Sequence, residues 1–328
     1  MDMDNESITY SAPGKVILFG EHAVVYGYAA IAIAIELRAK CTIVPSLSKN
    51  ISVLTPDLFP NESFTISKNS SLPKSLRAVE YIIREMLQIK KSMNNPIIKI
   101  ISEIPPSAGL GSSAAVAVSL ISSLSVFLKS GINLEVINNI AFEAEKIIHG
   151  SPSGIDNTIS TYGGGILYKT EIKRKIPIEN QSCFFVIVNS LIPRNTKDVV
   201  EKVKKRRNKN KQKIDQIFEE IEAITIQGEE SLKKGNHEET GTLMSENQNL
   251  LEKLGVNHPE LTKIIRLVDK HGVLGRKLTG AGEGGCIIAL FDDYQEAKLA
   301  INTLKEKRFQ AFITNVSSEG VRNEPEHV

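Results

Sequence analysis

The chain has 328 residues, and 40 Lys+Arg against 38 Asp+Glu leave a formal net charge of +2. That balance removes any global electrostatic case for a nucleic-acid or membrane-surface protein, and 41% hydrophobic residues exclude a disordered or fibrous chain. Three scattered cysteines, Cys41, Cys183 and Cys286, form no CxxC pair, which argues against a disulfide scaffold or zinc site and fits a reducing cytoplasm.

In chain order, the acidic start Met1–Glu6 has the wrong sign for a signal peptide. Short β-type runs are predicted at Ala29–Leu37, Pro96–Ser102, Cys183–Val188, Cys286–Phe291 and Phe312–Val316. Helices are predicted at Lys74–Lys91, Ser113–Leu128, Glu135–Ile148, Asp198 to about Lys234, and Pro259–Lys270. In the third of these, Ile137, Ile140, Ala141, Ala144, Ile147 and Ile148 recur at helical spacing and predict one buried stripe. Strands and helices alternate without a steady βαβ rhythm, so the expected class is α+β rather than a doubly wound sheet. The length fits about two domains, and a fresh apolar strand after the glycine run Gly163–Gly165 predicts units 1–180 and 181–328.

Two stretches invite a sharper reading. Leu110–Leu128 carries no charge and is long enough to cross a bilayer. Its six serines and the preceding Pro105-Pro106 favour a helix buried inside a soluble protein. Lys202–Lys213 holds eight basic residues in twelve positions, yet no aromatic residue interleaves them. Without that stacking platform, a solvated helix surface or a connection is the expected role, not a nucleic-acid site.

Four segments carry the chemistry. In Ala12–Gly27, Lys15 stands at the mouth of an apolar strand, with Glu21 and His22 in a glycine-bounded loop behind it. A lysine there usually snorkels to solvent, but cation, acid and imidazole together could orient a hydroxylated anionic substrate. The second segment, Pro105–Ala115, places two glycines and two serines between a strand and a helix. Glycines permit a tight backbone, and the helix start offers free N–H groups and a positive dipole end to a phosphate. Gly109-x-Gly111-x-x-Ala114 formally fits a dinucleotide fingerprint, but a second helix follows where that fold needs a strand. A Walker loop is excluded because no Lys follows the second glycine. In the third segment, Glu143–Asn157, Glu145 sits at the edge of the apolar stripe, where Mg²⁺ is one candidate partner. Asp156 follows a turn-rich loop able to aim it into a cleft. The last segment, Lys277–Cys286, has four glycines in six positions and leads into a strand.

Together and in this order, Pro13–Gly27, Pro105–Ala115, His149–Asn157, Pro193–Thr196 and Lys277–Cys286 resemble the GHMP kinases over nearly the whole chain. The first and third segments are most similar to the members that phosphorylate mevalonate. The resemblance implies an α+β N-terminal domain, a ferredoxin-like C-terminal domain and a site between them. It also implies ATP-dependent phosphorylation of the C5 hydroxyl of mevalonate in isoprenoid synthesis, with Mg²⁺. Phosphomevalonate or a sugar is the alternative acceptor, and a non-catalytic ligand sensor the reading from another class. By the resemblance, Ser107, Ala108, Gly109, Leu110, Gly111, Ser112, Ser113 and Ala114 form the ATP phosphate loop. Ser113 and Glu145 hold Mg²⁺, Asp156 is the catalytic base with Lys15 beside it, and Glu21 and His22 belong with them to the substrate region. No nucleic-acid or membrane partner is expected, and a homodimer is an arrangement the sequence leaves open. One departure stands out: Glu283 occupies a slot that is commonly glycine in the family. A left-handed backbone there would be strained, a carboxylate would repel phosphates, and Gly280–Gly285 therefore receives no firm role.

Overall fold

The computed structural model describes residues 7–48, 50–67, 72–89, 95–106, 108–149, 152–169, 172–176, 178, 183–193 and 195–325. The strands are β1 (Ile8–Phe19), β2 (Ala30–Val44), β3 (Ile51–Leu54), β4 (Ser63–Ile66), β5 (Ile97–Ser102), β6 (Gly165–Lys169), β7 (Ile172–Ile176), β8 (Phe184–Asn189), β9 (Gly275–Thr279), β10 (Cys286–Phe291), β11 (Gln310–Thr314) and β12 (Arg322–Asn323). The helices are α1 (Arg77–Ile89), α2 (Ser112–Phe127), α3 (Leu134–His149), α4 (Ile155–Tyr162), α5 (Thr196–Lys209), α6 (Lys211–Lys234), α7 (His237–Leu254), α8 (Pro259–Val268) and α9 (Tyr294–Glu306).

The first sheet runs β12-β1-β2-β5-β3-β4, with β6 and β7 branching from the other end of β2. β2 is long enough to serve two neighbours on one side: residues 39–44 pair with β5 and residues 30–33 with β6. The second sheet has the order β11-β8-β10-β9, antiparallel throughout. Helices lie between β8 and β9 and between β10 and β11, so the order of its four strands is that of a ferredoxin-like βαββαβ unit. The α+β class and the ferredoxin-like second sheet thus follow the expectation.

α2 is the uncharged stretch, and it is a core helix. Eleven of its residues from Ala114 to Ser125, including Ser119, Ser122, Ser123 and Ser125, are buried, and only its last turn reaches the surface, at Val126. The serines satisfy themselves locally, Ser122 donating to Val118 O at 2.8 Å, or on the sheet beneath, Ser123 donating to Cys41 O at 2.8 Å. Among the described residues no helix is long and apolar enough to cross a membrane. The stripe on α3 is shorter than its spacing predicts: Ile137, Ala141 and Ala144 are buried, whereas Ile147 and Ile148 are exposed on the last turn.

The basic run is helical. Asn210, at φ −148° and ψ 77°, breaks the expected single helix into α5 and α6 and caps α6 by accepting from Lys213 N. Part of the run is bound rather than solvated. Arg206 donates to the carbonyls of Leu254 and Gly255 at the end of α7. Arg207 pairs with Asp215 and lies 4.7 Å from the ring centre of Tyr26, the aromatic contact that the run itself lacks. Tyr26 in turn stacks on Phe218 of α6 at 4.8 Å.

The chain ends its described course back on the first sheet. β12 pairs with β1, Tyr10 opposite Asn323 and Ser11 opposite Arg322. Buried Arg38 secures that return, donating to Ser11 Oγ at 2.7 Å, Ser317 Oγ at 2.9 Å and Gly320 O at 2.5 Å.

Candidate active site

β1 carries the first functional side chain. It does so further inside the strand than its sequence suggests, because Pro13 and Gly14 are absorbed at a register shift against β2. Gly14 lets the loop before α2 lie across the strand: a Cβ there would meet Leu110 O at 2.7 Å. Lys15 N donates to that same carbonyl at 2.9 Å. Gly111 caps α2 at φ 77°, and a Cβ on it would stand 3.0 Å from Lys15 Cγ. Only glycine meets both demands without strain. Gly111 thereby opens α2 against Lys15, with half-buried Ser112 and Ser113 in the first turn of the helix. Ala108, Leu110 and Ala114 are buried and anchor the loop, and Ser107 lies outside the described residues.

Asp156 arrives on an element missing from the sequence reading. It sits in the first turn of α4, which Gly154 opens at φ 75°. Ile155 and Ile159, one helical turn apart, bury themselves against Ala32, Ala34 and Ile166, where the alanines of β2 leave room for a helix. Ser160 donates to Pro13 O at 2.8 Å, and Asn157 donates to Asn138 Oδ1 on α3 at 2.6 Å. Because Lys15 lies opposite Ala34 in the sheet, α4 delivers Asp156 directly to it. Lys15 Nζ stands 3.3 Å from Asp156 Oδ1 and donates to Gly109 O at 3.2 Å. The Lys15 side chain is 8% exposed and that of Asp156 32%, an ion pair with one open side.

Glu145 is 3% exposed on α3, which packs against α2. A buried carboxylate and a serine hydroxyl are hard oxygen donors of the kind Mg²⁺ takes. Among the described residues no cluster of three His, Cys, Asp or Glu side chains stands together. Mg²⁺ fits such a sparse set because it draws its remaining ligands from phosphates and water.

Glu21 and His22 are placed differently from the expected constellation. Both are buried, and both turn toward the segment that begins in β9. Glu21 pairs with Lys277, and His22 Nε2 lies 2.8 Å from Ala281 O. Between them Thr279 clasps β1, accepting from Ile17 N at 3.0 Å and donating to Ile17 O at 2.9 Å. Burial pushes the Glu21 carboxyl up and the Lys277 ammonium down, and their mutual attraction opposes both shifts. Lys15 is close enough to add a lowering influence on Glu21.

The glycine-rich loop after β9 shows how the departure at Glu283 is accommodated. Glu283 does adopt the left-handed backbone, at φ 53°, with its N–H donating to Val256 O at 2.7 Å. Its charge is met by Lys202 of α5 at 2.5 Å. At the loop's end Cys286 Sγ reaches Ala108 O at 3.6 Å, tying the second sheet to the loop before α2.

Comparison with known proteins follows the same lines. Residues 74–165 match the description "GHMP kinases N terminal domain" and residues 229–310 match "GHMP kinases C terminal". Mevalonate kinase of Archaeoglobus fulgidus is 36% identical over 319 residues, covering 96% of this chain and 99% of the relative. The chain belongs to the GHMP kinase family. Among solved structures, the Methanococcus jannaschii mevalonate kinase superposes with a TM-score of 0.84 at 32% identity, covering 96% and 99% of the two chains. L. major mevalonate kinase in complex with R-mevalonate gives a TM-score of 0.81 at 27% identity, covering 93% and 95%. As a GHMP kinase the chain is a phosphotransferase that uses ATP. The residue that sequence reasoning passed over in this kinase is Lys277. Its signal was slight: β9 also carries Arg276, and only the alternation that puts Lys277 on the face of Thr279 separates the two.

Proposed function

We propose that the chain transfers the γ-phosphoryl group of ATP to the C5 hydroxyl of (R)-mevalonate, giving 5-phosphomevalonate in the cytoplasm. The observation that supports this most directly is the Lys15–Asp156 pair, 3.3 Å apart beneath the loop that starts α2. Phosphoryl transfer asks a protein mainly for in-line positioning and for neutralisation of charge. In this reading residues 107–114 hold the triphosphate through backbone N–H groups and the α2 dipole. Asp156 accepts the proton of the attacking hydroxyl, and Lys15 steadies the alkoxide that develops. Ser113 and Glu145 would hold Mg²⁺, which supplies charge neutralisation on the phosphates when bound. Glu21 and His22 border the acceptor. The division into units 1–180 and 181–328 belongs to the same reading, with the site lying between them.

The test is ADP release by purified protein with Mg²⁺-ATP and, in parallel, mevalonate, phosphomevalonate, galactose or homoserine. Turnover confined to mevalonate is expected, and preference for another acceptor overturns the substrate assignment. Asp156→Asn should retain nucleotide binding while kcat falls by about 10²–10⁴-fold, the range for a lost general base. A near-normal rate removes Asp156 from that role.

A further inference from the structure

The side chains at alternate positions 277 and 279, and the backbone at 281, all meet the end of β1 and the loop after it. Thr279 and Ala281 make hydrogen bonds that any joint between two sheets would need. Lys277 is another matter. Its side chain and that of Glu21 are 0% and 1% exposed, a complete ion pair withdrawn from water. Lys277 Nζ also donates to Leu278 O at 2.8 Å. Glu21 spends one oxygen, Oε1, on Lys277, while Oε2 is buried with no hydrogen-bond partner.

A buried ion pair is an expensive way to join two sheets, since well-packed apolar residues often do as well or better. A buried carboxylate oxygen left without a donor likewise demands a reason. Both features fall on the loop behind Lys15, which is near enough to act on the Glu21 charge. We propose that Lys277 is a positioning residue of the acceptor site, fixing Glu21 by one carboxylate oxygen so that Oε2 accepts a hydrogen bond from a hydroxyl of the bound acceptor. The inference rests on reading Gly20–His22 as the acceptor loop, and not on which acceptor is used.

The experiment compares wild type with Glu21→Gln, Lys277→Gln and the double variant Glu21→Gln/Lys277→Met. KM is measured for ATP and for the acceptor that wild type turns over fastest among the four named above. Glu21→Gln keeps the shape and an acceptor for Lys277, and the double variant leaves no lone buried charge, so it escapes the cost of breaking a buried pair. A positioning role raises the acceptor KM about tenfold or more in all three, as expected for a lost hydrogen bond to a charged group, with the ATP KM within twofold. The inference is overturned if Lys277→Gln, or Glu21→Gln together with the double variant, keeps the acceptor KM within twofold of wild type. It is overturned equally if both KM values rise together as the Tm falls, which marks a structural joint only. Wild type that prefers another acceptor removes the mevalonate assignment and leaves this inference to be judged on that acceptor. Wild type that turns over none of the four removes both.

Discussion

Glu283 shows how a single residue can be accommodated where its type is unfavourable. A non-glycine residue in the left-handed region costs about 1–2 kcal/mol, and an exposed ion pair such as that with Lys202 returns about 0–1 kcal/mol. Strain therefore outweighs the pair. Glu283→Gly is expected to stabilise the fold by about 0.5–1 kcal/mol, a Tm rise of about 2 °C in thermal denaturation. A fall in Tm would mean that the Lys202 contact contributes more than its exposure allows. At this scale the sequence was informative about chemistry and poor about partners. The loop around Gly109 and Gly111 was readable as a phosphate cradle because glycines and a helix start suit an anion, whereas the roles expected of Lys15 and Asp156 came only with the family resemblance. That Glu21 would face Lys277, 256 positions along the chain, depended on how two sheets meet, and no local pattern encodes that.

At the level of elements, those missed fall into two kinds. α9 announced itself: Asp293 accepts from the N–H groups of Gln295 and Glu296, a cap that precedes the apolar spacing of Ala297, Ala300, Ile301 and Leu304. α7 did not, because it buries Thr240, Gly241, Asn247 and Gln248, residues that a sequence reading assigns to surface or turn. Gln248 donates to Glu252 one turn on at 3.0 Å, but its oxygen is met only by tertiary structure, accepting from Leu278 N on β9 at 2.9 Å. α6 carries a comparable case in Gly228. Glycine inside a helix is normally improved by alanine, by about 1 kcal/mol. Here a Cβ would stand 2.5 Å from the fully buried Phe19 ring, where helix and strand meet. Overpacking costs about 1–3 kcal/mol, so the sign reverses. Gly228→Ala is expected to lower the Tm by about 3 °C, and a rise would contradict the close seating of α6 on β1.

Across the whole molecule the three thiols report on burial. Cys41, Cys183 and Cys286 are all buried. Burial pushes the Cys41 and Cys183 thiols up to about 12, and thiol reagents attack the thiolate. At pH 8 the native protein should therefore leave Cys41 and Cys183 unlabelled, whereas denaturant exposes all three. Rapid labelling of either under native conditions would show that a sheet opens readily. The α+β class was readable from the sequence because strands and helices alternate irregularly. The branching of β2 toward both β5 and β6 was not, since one 15-residue strand with two neighbours on one side leaves no periodic trace.

The return of β12 to β1 bears on how the protein is made. Synthesis proceeds at roughly 5–20 residues per second, so β1 leaves the ribosome on the order of tens of seconds before the strand that covers it. During that interval β1 presents an unpaired edge, the kind of surface on which nascent chains pair with one another. Arg38 also waits, because Ser317 and Gly320 supply two of its bonds. The sheet begun first is thus completed last, and a ribosome stalled shortly before codon 317 would release a chain whose kinase loops are all present but whose first sheet still has an open side.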